Sequence, residues 1–323
     1  MRWLLLIGLF VALPAAHAQN DDAVVVTAVR DPVDKSYRRM VRGMEVFEKR
    51  KQELAPNAAL RFKMLPRRAN SRLHGINLEI VGDSFAEPID VAADDTFTVP
   101  RNRVALKENA SVLADRKELT MTWRADVRTP GLPAGTRRLG DLRLECAVGM
   151  EAGLVSNVRS PLGRLASTIF ESADYCNRER NRYLFFADRP LFRVTLAAGE
   201  RREDLPAERL WGAASVDPNW KRDLRYCDCE VLMDRAYFMP LGDASWPDDT
   251  IVHFEYMDDA PDADRVTKAE VGKALGKAEV VDFASGYDVW VYPQTGFVVL
   301  FAPDGMAAKA RREKVPSQAA ARK

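Results

Sequence analysis

The sequence predicts an α+β fold that is mainly β, with an N-terminal helix, β-sandwich-like regions, and a small C-terminal helix beside a three-stranded antiparallel sheet. Three observations predict it. Apolar residues repeat at helical spacing near the N-terminus. The period drops to two over much of residues 60–258, and a capped helix followed by three strand-like runs comes after it.

The first residues read as a leader. Arg2 precedes an apolar run from Trp3 to Leu13, then Pro14 and Ala15-Ala16-His17-Ala18. That order of charge, apolar stretch and small residues is a secretory signal over residues 1–18, with cleavage between Ala18 and Gln19. The run is shorter than the ~20 residues a membrane-spanning helix needs. No cysteine follows it for lipid attachment, and no later stretch is apolar enough to span. The mature chain is therefore expected to lack a transmembrane segment and to be periplasmic, in a Gram-negative type envelope, or secreted.

Residues 19–57 read as a strand, Ala23 to Val29, and a helix. Asp31-Pro32 is the expected helix start, with a carboxylate at the cap and proline in the first turn. Tyr37, Met40, Val41, Met44 and Phe47 recur at helical spacing, and Pro56 marks the stop.

Alternation then takes over. Ile76, Leu78 and Ile80 alternate with Asn77 and Glu79. Met121, Trp123, Ala125 and Val127 alternate with Thr122, Arg124 and Asp126, and Leu142, Leu144 and Cys146 with Arg143 and Glu145. Such runs predict strands with one buried and one wet face, a β-sandwich-like domain over 58–160. A second β-rich region, 161–258, rests on Phe192, Val194 and Leu196, on Cys227, Cys229 and Val231, and on Val252, Phe254 and Tyr256. Asp258, Asp259, Asp262 and Asp264 around Pro261 read as a linker, and they lack the Gly and distal Glu of a calcium loop.

The chain has four cysteines: Cys146, Cys176, Cys227 and Cys229. An even count in an exported chain favours disulfides. Cys227 and Cys229 lie two apart and point to one face, where a bond between them would close a strained ring. Each is expected to bond one of Cys146 and Cys176. A four-thiolate zinc site is the alternative, but its C-x2-C spacing is absent, so no metal is expected.

With 48 Lys+Arg against 47 Asp+Glu, no concentrated basic charge points to nucleic acid as a partner. Beyond the leader only His74 and His253 remain as histidines, and neither belongs to a nucleophile or metal motif. No catalytic residue and no cofactor are expected. A carboxylate-dependent hydrolase stays open as a third reading, because convergent acids cannot be seen in a sequence.

In the C-terminal part, Thr267 and Glu270 form the pattern of a capping box, and Gly276 ends the helix. Runs Glu279–Phe283, Tyr287–Tyr292 and Gly296–Ala302 follow as strands. The elements Val266-Thr267-x-x-x-Val271, Leu275-Gly276, Trp290-x-Tyr292 and Val299-x-Phe301-x-x-x-Gly305 resemble the BamE (SmpA/OmlA) family of outer-membrane assembly proteins. The resemblance covers about 264–310 and departs from the family at Ala278, where proline is usual. It implies a helix-plus-sheet unit used for protein and lipid contacts. Trp290 and Tyr292 on an open sheet face are the candidate interaction surface, and the residues from Ala307, including a basic tail over 311–323, are expected to be solvated.

The expected function is thus non-catalytic binding or assembly with an envelope protein partner, with peripheral outer-membrane association open. An enzyme inhibitor or a carbohydrate-binding module is the alternative.

Overall fold

The computed structural model describes residues 31–68, 70–154, 173–178, 182–215 and 230–314. Ala18, Gln19, the run Ala23 to Val29, Cys227 and Cys229 lie outside the described residues. Among the described residues the fold is α+β and mainly β, with four α-helices and seventeen strands in antiparallel sheets.

The chain begins with strand β1 (Pro32–Ser36), and helix α1 (Tyr37–Leu54) follows directly. The helix therefore does not start at Asp31-Pro32. Pro32, which cannot donate a ladder hydrogen bond, opens a strand instead, and Ser36 takes the cap position by accepting from the Arg39 N–H. Tyr37, Met40 and Val41 face the core as their spacing predicts, and the helix stops after Leu54.

Strands β2 (Ala59–Pro66), β3 (Leu78–Val81), β4 (Ala86–Ile89) and β5 (Thr96–Phe97) follow. A short helix, α2 (Arg103–Lys107), then precedes β6 (Ser111–Lys117) and β7 (Met121–Arg128). They make two sheets, ordered β1-β6-β3-β4 and β5-β2-β7. Both sheets and α1 contribute to one apolar cluster, in which Phe62, Leu78, Phe97, Val112 and Trp123 are almost completely buried. Phe97 stacks on Phe62 and meets the Trp123 ring edge-on at 5.9 Å.

The alternation Leu142/Leu144/Cys146 is not a strand. It lies in α3 (Leu139–Glu151), a helix buried on several sides. Leu139, Leu142, Cys146 and Met150 enter the largest core, while Leu144 and Val148 pack towards β7 and the end of α1. Two apolar faces on one helix imitate a two-residue period over so short a run. Thr250 and Asp248 carbonyls accept the first N–H groups of α3, at 2.9 Å each, so the uncapped end is satisfied by chain from the second β region. Gly140 permits that approach and the close passage of α1, since a Cβ there would lie 3.0 Å from the Asp248 carbonyl and 2.0 Å from the Leu54 carbonyl.

Chain from both sides of residue 160 meets in the largest core, because α3 packs there with the second β region. Strand β8 (Thr136–Arg138) pairs with β13 (Ile251–Tyr256), which sits beside β10 (Leu191–Ala198) and then β11 (Arg201–Asp204). A small second ladder joins β9 (Leu184–Phe186) to β12 (Ala236–Phe238). Val231 lies in a 3-10 turn over Glu230–Arg235, not in the expected strand.

Cys146 bonds Cys176, with their Cα atoms 6.0 Å apart. The expected pairing of each with Cys227 or Cys229 is therefore wrong: Cys146 is on a helix facing the turn Ala173–Asn177, a placement the strand reading concealed. The bond still ties the two β regions together. Replacing Cys146 and Cys176 with alanine is expected to lower stability by about 2–4 kcal/mol, read as a fall in the urea midpoint of the mature chain.

Helix α4 (Lys268–Leu275) carries the predicted capping box, with Thr267 and Glu270 bonded reciprocally. Strands β14 (Glu279–Asp282), β15 (Asp288–Tyr292) and β16 (Phe297–Phe301) lie where alternation places them. A fourth strand, β17 (Ala307–Arg312), pairs with β16. Residues 307–312 are thus not a solvated tail, with Lys309 and Arg311 3% and 5% exposed, and residues 315–323 lie outside the described residues. Lys309 donates to the Ala260 carbonyl and pairs with Glu255, and Arg311 donates to the Leu205 carbonyl. The acidic linker is pinned as well, with Asp258 and Asp259 both held by Arg189.

Candidate functional site

Trp290 and Tyr292 do not form an open surface. Their face of the C-terminal sheet packs beneath α4 with Val271, Val299 and Phe301, and the opposite face, through Val289, Val291 and Leu300, enters the large core. Trp290 lies against Phe301 at 4.9 Å between ring centroids, and Tyr292 is 2% exposed. The Tyr292 hydroxyl nevertheless has no hydrogen-bond partner, and the residue borders a large cavity.

That cavity is a groove of about 770 Å3. One wall is the outer side of β10 and β11, including Arg193, Thr195 and Asp204; the other is the Tyr292–Phe297 turn with the end of β17. Alternation along β10 positions the first wall, because Phe192, Val194 and Leu196 take the core side. Gly296 shapes the second: its φ of 75° suits glycine, and its carbonyl accepts from the Glu313 N–H. Glu313 accepts in turn from the Ala207 N–H at 2.8 Å and pairs with Arg311, while burial pushes its carboxyl above the ordinary range. Ser215, 6% exposed, also presents a hydroxyl with no partner. Among the described residues no group stands within hydrogen-bond distance of that hydroxyl.

No family model, curated protein or solved structure matches this chain.

A second polar site lies between β2–β7 and β9–β12. Arg137 and Glu145 form a buried pair at 2.5 Å, closed by the Val127 N–H donating to Glu145 and by Arg137 donating to the Val127 carbonyl. Burial raises the Glu145 carboxyl, against the opposing charge of Arg137. Arg128 grips Asp188 with two hydrogen bonds and also holds Asp126. Burial pushes the Tyr183 phenol up to about 12, with Arg124 opposing it. Arg124 itself, expected on a wet strand face, is 9% exposed, and its guanidinium lies 5.2 Å from the centre of the Phe186 ring. The β9 segment covers that face, and no local pattern in β7 signals it.

His74 is exposed, and His253 is half-buried on β13, where burial and Arg202 hold its pKa below the ordinary value. Among the described residues no group of three or more His, Cys, Asp or Glu is placed to hold a metal.

Lys35 on β1 offers a titration test. Burial first, then the charges of Arg124 and Arg67, push it from 10.5 down to about 8. Between those values the unfolded chain binds more protons than the folded one, so this group makes stability rise with pH from about 8 to 10.5. In Lys35→Met that component of the rise is expected to vanish, as measured by urea midpoints across the window.

Proposed function

We propose that this chain is an exported, non-catalytic binding protein of the cell envelope that holds a polypeptide segment of its partner in the groove between β11 and the C-terminal sheet. The observation carrying this reading is the groove itself, about 770 Å3, walled by β10 and β11 on one side and by the Tyr292–Phe297 turn on the other. The wall mixes both charges, Arg193, Arg202 and Arg312 against Glu203, Glu208 and Glu279, which suits a polar peptide. β11 itself is charged and exposed throughout, a composition that discourages simple strand addition at its edge.

The leader with its Ala18–Gln19 junction supports export, and the Cys146–Cys176 bond accords with an oxidising compartment. No helix among the described residues is long and apolar enough to cross a membrane. The BamE-like order of Val266 to Lys309 supports an assembly role at the outer membrane. A carbohydrate ligand is the second reading, favoured by Phe297 beside the acidic groups of the wall.

Site-specific photo-crosslinking in intact cells tests the proposal. A crosslinking residue at position 208, in the groove, is expected to give a discrete polypeptide adduct, and one at position 104, exposed on α2, is not. Equal adducts from both positions, or none from 208, would overturn it.

A further inference from the structure

Strand β14 is one edge of the C-terminal sheet, which is ordered β14-β15-β16-β17. The opposite edge is met by other chain: the Asp262 and Ala263 N–H groups donate to the Ala308 carbonyl, and the Ala307 N–H donates to the Val266 carbonyl. β14 is open by contrast, with Glu279, Val280 and Asp282 exposed and Val281 alone turned into the core. The Phe283 N–H donates to the Tyr287 carbonyl, so alternation along the hairpin gives Val281 and Glu279 the bonds to β15. Val280 and Asp282 therefore point their N–H and carbonyl groups at the free edge, where no backbone group among the described residues meets them.

An open edge is a template for another strand. Its side chains say which strand fits. Val280 and Val104 are the exposed large apolar side chains among the described residues, and Val280 is the more open at 54%. Glu279 and Asp282 bracket the two valines, and neither makes an ion pair among the described residues. Cations opposite them would be favoured, as would an apolar residue opposite Val280. A second copy of this chain fits badly: antiparallel pairing about the centre of β14 sets each Glu279 against an Asp282, and like charges directly opposite are destabilising. On the facing wall of the groove β11 offers no apolar residue, and its acids are engaged, Glu203 by Arg201 and Asp204 by Thr195. Glu279 lines the groove, so β14 begins at its rim. We propose that the partner's segment binds by adding a strand to β14, and that this strand is basic at both ends around an apolar centre. The inference rests on the groove reading and specifies how the segment is held and what it carries.

The test uses the mature, disulfide-bonded chain and two fluorescein-labelled heptapeptides, one with lysines flanking a valine–threonine centre and one with glutamates in their place, followed by anisotropy. Saturable binding of the lysine peptide is expected, at least about tenfold tighter than that of the glutamate peptide. Val280→Pro removes one outward N–H and spares the ladder to β15, a position at which an edge strand tolerates proline. It should weaken lysine-peptide binding at least about tenfold while the urea midpoint stays unchanged. Glu279→Lys/Asp282→Lys should reverse the peptide preference, and it decides the matter on an intact backbone edge should Val280→Pro fold poorly. Absence of saturable lysine-peptide binding, equal binding of the two peptides, or full binding by Val280→Pro would overturn the proposal. So would a dimer of the parent that Val280→Pro dissolves, since a second copy would then hold the edge. A position-208 adduct that persists unchanged in Val280→Pro cells would overturn strand addition and leave the groove reading standing.

Discussion

Replacing Glu145 with alanine is expected to destabilise the protein by about 3–5 kcal/mol, the usual result of removing one member of a buried ion pair. Both side chains are under a tenth exposed. Without the carboxylate, the Arg137 guanidinium keeps its charge in an apolar setting, and the Val127 N–H loses its acceptor. Three elements meet at this pair, since Glu145 comes from α3, Arg137 from β8 and Val127 from β7. The double variant Glu145→Leu/Arg137→Met should recover most of the loss, because it removes both charges and fills similar volume. Urea unfolding of the three proteins decides this. Equal midpoints for the parent and Glu145→Ala would show that the pair holds nothing together.

Trp123→Ala is expected to cost a similar amount, about 3–5 kcal/mol. The side chain is completely buried, and it closes an aromatic row with Phe97 and Phe62. Its indole N–H has no acceptor. Trp123→Phe should therefore lose far less, since it keeps the ring contact and removes an unsatisfied donor. The readout is the urea midpoint at unchanged m-value. A midpoint for Trp123→Phe as low as that for Trp123→Ala would contradict the packing described.

Where the period was long and one face stayed wet, the sequence could be read directly. α1, β10 and β13 lie where their spacing puts them, and the Thr267–Glu270 capping box forms as expected. Misreadings came from surfaces covered on a second side. α3 touches two cores, so its apolar residues looked like a strand. β17 looked like a solvated tail because lysine and arginine alternate with alanine, and nothing local reveals that Lys309 reaches the Ala260 carbonyl, 49 residues away. The same holds for Arg124: its neighbours alternate as in a half-wet strand, and its burial depends on Phe186, far along the chain. Tyr292 was singled out for an exposed sheet face. It is buried under α4, at the border of a groove whose far wall, β10–β11, local pattern could not place beside it.

Hydrogen exchange on the mature chain, free and bound to the polypeptide captured at position 208, tests the groove most directly. Binding is expected to slow exchange in Arg201–Glu208 and Pro293–Phe297, the two walls, and to leave α2 unchanged. Protection confined to α1 and α2, with both groove walls exchanging as in the free chain, would contradict the account.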